Sequence, residues 1–421
     1  MQKTSVGIEK ELQGVIAAGA ARGATAADCV RGIQPQLVVE PETEAELASA
    51  LRVADYVGIG VIPRGGGTKL FWGNPPRRAD LILSTRRLDK IIEHVWADLT
   101  VSVEAGCRIQ DLQAALAQHG QRLAIDPLWT ERATVGGILS TNDSGTLRLR
   151  FGSLRDLVLG VTIALPDGTL ATSGGKVVKN VAGYDLPKLV TGALGTLGVI
   201  TRAVFRLHPL PRYSATLTVS SLNLDALQRL LLAIQDSQLA HTSLQVRTAS
   251  EAGANLDIRI EGTEEGISAQ VEQFRALIGA TRAKECSADV WNSLREVWVN
   301  SESAALAKIT TLPASIAETI EHIAAVARKN AASWKLVMQA TGVGTVRLEA
   351  SQSENLRAGL LELRAAMISG GGALVIQYCP AEMESLDACG QPSDAISLMQ
   401  AIKKQFDPRG TLNPGRFLGN I

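Results

Sequence analysis

Val61-Ile62-Pro63-Arg64-Gly65-Gly66-Gly67-Thr68 carries a short β-type run straight into three consecutive glycines. Glycines let a backbone turn tightly enough to aim successive amide N–H groups at one point. Such a nest takes phosphate oxygens, and Arg64 is on hand to add charge. The same run also reads as a flexible surface loop. The usual nucleotide signatures do not extend it. There is no G-x-x-x-x-G-K-[ST] run, Leu70 stands where a dinucleotide fingerprint needs its third glycine, and no G-x-S-x-G elbow occurs.

Two further glycine clusters follow in order. The second is Ala133-Thr134-Val135-Gly136-Gly137, with Asn142, Ser144 and Gly145 just after it. The third starts at Lys179-Asn180-Val181-Ala182-Gly183-Tyr184-Asp185-Leu186 and runs into Gly192-Ala193-Leu194-Gly195-Thr196-Leu197-Gly198-Val199-Ile200. Glycine recurs between Gly58 and Gly198 and thins between Tyr213 and Met367, where Ala, Leu, Glu and Gln take over. A glycine-punctuated, β-rich part is thus followed by a more helical one. His208-Pro209-Leu210-Pro211 marks the boundary as an extended linker, because successive prolines stop both helix and sheet.

In the first part Thr43, with Glu46 three residues on, predicts a capping box and a helix ending at Gly58. A second helix is expected over 109–119, a strand over 157–165 and a turn at Asp167-Gly168. The second part alternates helical patterns (224–239, 268–278, 313–330, 353–368) with strands (216–219, 256–261, 345–348, 373–377), and shows no repeat of fixed period. The class is α+β.

A chain of 421 residues has room for two or three domains and a large core. Lys+Arg and Asp+Glu balance at 42 each, which argues against a nucleic-acid partner. Five scattered cysteines without a C-x-x-C pair read as reduced thiols, not as ligands of zinc or of an iron–sulfur cluster. The first 16 residues lack a signal peptide's apolar core, and no apolar run approaches the ~20 residues of a membrane span. The expected location is cytoplasmic, with any approach to the inner membrane made through partners.

The order P-R-G-G-G-T, A-T-V-G-G, N-V-A-G-Y-D-L, G-T-L-G-V-I resembles the flavin-binding domain of the vanillyl-alcohol-oxidase/p-cresol-methylhydroxylase (PCMH) superfamily. The chain end, Phe406-Asp407-Pro408-Arg409-Gly410-Thr411-Leu412-Asn413-Pro414-Gly415-Arg416-Phe417, resembles its glycolate and lactate oxidase branch. Within that branch, 179–186 and Trp291-Asn292-Ser293-Leu294-Arg295 resemble the E-type subunits of bacterial glycolate oxidase. The resemblance implies a two-subdomain PCMH-type FAD-binding domain over 1–211, a ferredoxin-like α+β cap over 212–395, and a terminal segment, 396–421, that returns to the flavin. It places the FAD pyrophosphate on Arg64, Gly65, Gly66, Gly67 and Thr68. Thr134, Gly136, Gly137, Asn142, Ser144 and Gly145 follow the ribityl–pyrophosphate face, Pro127 lines the flavin, Ile200 lies near the adenine and Asn413 beside the ring. Some relatives attach FAD through a His where this chain has Thr68, and no Cys lies between Asp126 and Gly145, so non-covalent FAD is expected.

Oxidation of a 2-hydroxy acid needs a cation for the substrate carboxylate, and Arg295 and Lys308 lie where catalytic relatives keep theirs. A helical Leu-Arg-Glu is, however, more often a solvated face. Those relatives carry H-x-G-D-G-N-x-H and a later Glu-His pair around a divalent metal. The corresponding stretches here, 339–347 and 378–382, have no histidine, and the helical His322 reads as a core or surface residue, so no metal is expected. The resemblance therefore implies a subunit working beside a D-type flavin subunit and an iron–sulfur subunit of glycolate oxidase. The rival readings are a self-sufficient FAD-dependent 2-hydroxy-acid dehydrogenase and a non-catalytic scaffold.

Overall fold

The computed structural model describes residues 5–12, 14–175, 184–250, 252–279, 283–299, 301–390 and 394–421. The chain folds as two units, one of Met1–Gly145, Gly152–Leu210 and Gln391–Ile421, the other of Thr146–Phe151 and Pro211–Gly390.

The first unit has two subdomains. One is a four-stranded sheet of β1 (Ala21–Gly23), β2 (Leu37–Val39), β3 (Val61–Arg64) and β4 (Leu81–Ser84) in the order β1-β2-β4-β3, with β3 parallel to β4. Helix α1 (Glu44–Val57) packs on it through Leu47, Leu51 and Ala54, a helical spacing of apolar residues. Thr43 Oγ1 caps α1 by accepting from the Glu46 amide at 3.1 Å, but the Glu46 carboxylate reaches back to the Glu42 amide (2.8 Å), one residue before the expected partner. The other subdomain is a five-stranded antiparallel sheet of β5 (Ile91–Val95), β6 (Thr100–Glu104), β7 (Val158–Ala164), β8 (Leu170–Gly174) and β9 (Val199–Arg206), ordered β5-β6-β9-β7-β8. Its core holds α2 (Ile109–Ala117) and α3 (Val135–Thr141). The expected linker is partly sheet: His208 and Pro209 pair with Arg122 and Gln121.

The second unit is one antiparallel sheet of eight strands: β10 (Tyr213–Leu222), β11 (His241–Ala249), β12 (Ala254–Gly262), β13 (Ala283–Glu285), β14 (Ala304–Thr310), β15 (Ser333–Gln339), β16 (Val343–Glu349) and β17 (Ala373–Tyr378). Their order is β13-β10-β12-β11-β15-β16-β14-β17. With α4 (Leu224–Gln235), α5 (Glu264–Ile278), α6 (Ile316–Lys329) and α7 (Ser353–Ser369), this is βαββαβ twice over, the two ferredoxin-like halves joined between β11 and β15. All four helices cover one sheet face with apolar residues such as Leu231, Phe274, Ile320 and Leu360. The other face is polar, carrying Thr218, Gln245, Arg247, Asp257, Thr345 and Lys308 in facing registers. Among the described residues no helix is long and apolar enough to cross a membrane.

Candidate cofactor site

Chain segments distant in sequence meet where β3 leaves its sheet. The Gly66 turn lies hard against the backbone after Trp129: a Cβ on Gly66 would stand 1.8 Å from the Arg132 carbonyl oxygen. Gly67 follows at φ 73, a conformation side chains disfavour. Arg64, the expected phosphate cation, donates instead to Asp28 Oδ1 at 2.6 Å. Asp28 also accepts from Arg22 (2.8 and 2.9 Å) and from the Thr25 amide and hydroxyl. Arg22, then Arg64, hold its carboxyl far below the usual carboxylate range. Arg64 is thus engaged inside the protein by an anion that it shares with Arg22, a contact that braces the turn.

Thr134 caps α3 through its hydroxyl, which accepts from the Gly137 amide. The 192–200 segment hangs from the end of α3, with the Gly192 and Leu194 amides donating to the Leu139 and Ser140 carbonyls at 2.8 Å each. From the far end of the chain, residues 411–413 lie along β3: Val61 donates to Thr411 O (2.8 Å) and Asn413 donates to Val61 O (2.9 Å). Asn413 Nδ2 donates to Leu194 O at 2.5 Å, which fixes the amide so that its buried Oδ1 is left with no donor among the described residues. Arg416 donates to the Leu70 and Trp72 carbonyls and ties the loop after the glycines to this terminal segment.

The result is one cleft. Of the expected residues, Arg64, Gly65, Gly66, Gly67, Thr68, Thr134, Gly136, Gly137, Ile200 and Asn413 line it. Pro127, Asn142, Ser144 and Gly145 do not. Asn142 ends α3 in the left-handed conformation, Ser144 Oγ accepts from the Leu154 amide (3.0 Å), and Gly145 packs on Asp126. The 179–183 part of the third glycine run lies outside the described residues. Tyr184 is exposed, and Asp185 caps a short helix by accepting from the Lys188 amide.

Sequence reasoning missed Lys69, which lines the cleft in a box of Trp72 and Trp129 rings (5.8 and 5.5 Å) and pairs with buried Asp143 at 3.0 Å. Its place directly after Thr68 was the available signal; nothing marked Asp143. Cys107 is buried beneath the site, and burial pushes its thiol up to about 11.

In the second unit Arg295 is an exposed residue of the helix Ser293–Val297, and Lys308 is a half-buried residue on the polar face of β14, opposite Thr345 and Val375. The histidine-free stretch 339–347 forms the β15–β16 hairpin, with Arg347 holding the Val297 and Val299 carbonyls. Exposed His322 lies on α6. Among the described residues no three His, Cys, Asp or Glu side chains gather as a metal site.

Residues 35–174 match the FAD binding domain family. Over 419 residues the chain is 27% identical to the glycolate oxidase subunit GlcD of Bacillus subtilis, covering 91% of this chain and 88% of that one. It is 37% identical to a D-lactate dehydrogenase of Archaeoglobus fulgidus over 190 residues, 45% of this chain and 42% of the relative. The fold superposes on p-cresol methylhydroxylase with a TM-score of 0.79 at 15% identity, covering 97% and 96% of the two chains. The chain is an FAD-dependent oxidoreductase of PCMH-type fold.

The cleft fits this cofactor. The Gly66 turn has no room for a side chain, and Asn413 Oδ1, which has no donor among the described residues, calls for one, since a buried acceptor left unmade costs about 1–3 kcal/mol.

Proposed function

We propose that the oxidoreductase is the E-type FAD subunit of a glycolate oxidase (glycolate dehydrogenase) complex that converts glycolate to glyoxylate and passes the electrons to an iron–sulfur subunit. The observation that carries this reading is a well-built FAD cleft in a chain whose β15–β16 hairpin and 378–382 segment have no histidine to hold a metal beside a substrate. The likeness to a glycolate oxidase subunit over most of the chain supports the substrate class.

Oxidising a 2-hydroxy acid removes two electrons and two protons, and bound FAD supplies the acceptor of the hydride equivalent. In this reading the backbone of 64–68 and the start of α3 hold the pyrophosphate and ribityl chain, Ile200 the adenine end, and Asn413 the ring. Lys308 and Arg295 are the cations offered to a carboxylate, and a D-type partner completes the hydroxy-acid site.

Anaerobic titration tests the assignment. The isolated yellow chain is expected to stay oxidised on adding glycolate or D-lactate and to bleach once the D-type and iron–sulfur subunits are present. Rapid bleaching of the chain alone would instead make it a self-sufficient dehydrogenase. An assembly whose flavin in this chain never bleaches, yet which falls apart without the chain, would make it a scaffold.

The attachment is proposed as non-covalent, because Thr68 has no nucleophile comparable with the linking histidine of some relatives. Acid precipitation should leave the FAD in the supernatant. Flavin fluorescence that stays with the denatured polypeptide would refute this.

A further inference from the structure

Lys403 belongs to the helix Ile396–Phe406, and its side chain is 11% exposed. Its ammonium makes three hydrogen bonds, to Asp407 Oδ2 (2.6 Å), Thr196 O (2.7 Å) and Leu412 O (2.9 Å). Three donors are all that an ammonium has. Asp407 in turn accepts from the Thr411 amide on Oδ1 (2.9 Å) and the Leu412 amide on Oδ2 (2.8 Å). Neither Lys403 nor Asp407 lines the cofactor cleft, but their partners adjoin residues that do. Thr196 follows Gly195, and Leu412 precedes Asn413.

Burying a lysine carries a large desolvation cost, and here burial depresses its pKa although Asp407 opposes the shift. A helix that needed only solubility would leave this lysine at the surface. The ammonium instead joins two backbone segments that lie 207 and 9 residues away along the chain. Those segments meet again close by, two residues before Thr196 and one after Leu412, where Asn413 Nδ2 binds Leu194 O and leaves Oδ1 for the ligand.

The geometry points to Lys403 and Asp407 as the positioning pair of the cofactor cleft: they lock the 194–200 loop against the terminal segment and so preset the Asn413 amide. This goes beyond the proposed reaction and rests only on FAD binding, so it survives whatever the substrate proves to be. Lys403 acts through Asn413 and touches no cofactor atom.

The test is a double-mutant cycle on the full-length apo-protein, read as the FAD dissociation constant from quenching of flavin fluorescence, with apo-protein melting measured alongside. Lys403→Met and Asn413→Ala are each expected to weaken FAD binding about tenfold, and the combined variant no more than about twofold beyond Asn413→Ala alone. Leu360→Ala, a core change in α7, should lower melting while leaving FAD affinity unchanged, which separates positioning from general loss of stability. Lys403→Met strands the buried Asp407 charge, so Lys403→Met/Asp407→Asn serves as the second variant. Wild-type FAD affinity in either Lys403 variant, or effects that multiply independently with Asn413→Ala, would overturn the proposal. Failure of both Lys403 variants to fold would make the pair a requirement of the fold and would overturn it equally.

Discussion

Gly66→Val should yield a folded protein that no longer retains FAD. The new Cβ would lie 1.8 Å from the Arg132 carbonyl oxygen and 2.8 Å from its carbon, far inside any real contact. The obstacle cannot recede. The Arg132 amide is bonded to Trp129 O (2.9 Å), Thr134 bridges to Arg108, and the Val135 amide is held by Cys107 O (3.0 Å). The glycine turn must therefore move outward, taking Gly65, Gly67 and Thr68 out of the cleft they line. Since the Cβ itself collides, Gly66→Ala should do nearly the same damage. Gly262→Ala, where nothing lies within 4 Å, should do none. The expected result is a colourless protein whose FAD dissociation constant rises at least a hundredfold, with far-ultraviolet circular dichroism preserved. Normal flavin occupancy in Gly66→Val would remove the glycine turn from the cofactor site.

What the sequence made legible were features set by neighbouring residues. Helix α1 begins and ends where Thr43 and Gly58 say it should, because a cap and a left-handed stop are local events. The glycine runs were legible for the same reason. Strand β14, Ala-Ala-Leu-Ala-Lys-Ile-Thr, was not found, since its alanines favour helix and only pairing with β16 on one side and β17 on the other makes it a strand. The doubled βαββαβ plan left no period to detect, because its matching helices differ in length (12 against 14 residues, 15 against 17). The polar partners of the site were also hidden. Asp28 lies 36 residues from Arg64, and Thr196 lies 207 from Lys403, separations at which composition carries no signal.

Asp28→Asn should destabilise the apo-protein by about 3 kcal/mol at neutral pH, in the range for breaking one side of a buried ion pair. The variant leaves the Arg64 guanidinium, whose side chain is 11% exposed, without its anion beside the glycine turn. Arg22 is 47% exposed, so solvent screens its share of the loss. The pH dependence gives the sharper check. The folded-state pKa of Asp28 is depressed, so its stabilisation is fully present above the unfolded carboxylate's pKa of about 3.9 and is lost as pH falls below it. The stability gap between wild type and Asp28→Asn should stay level from pH 8 to 5 and then close by about 1.4 kcal/mol per pH unit below roughly pH 4. Urea unfolding of both proteins across that range measures it. A gap under 1 kcal/mol at pH 7, or one that widens on acidification, would show that Asp28 is not the anion that braces the turn. FAD affinity should fall in the same variant, because the residue that loses its partner is the first of the glycine turn.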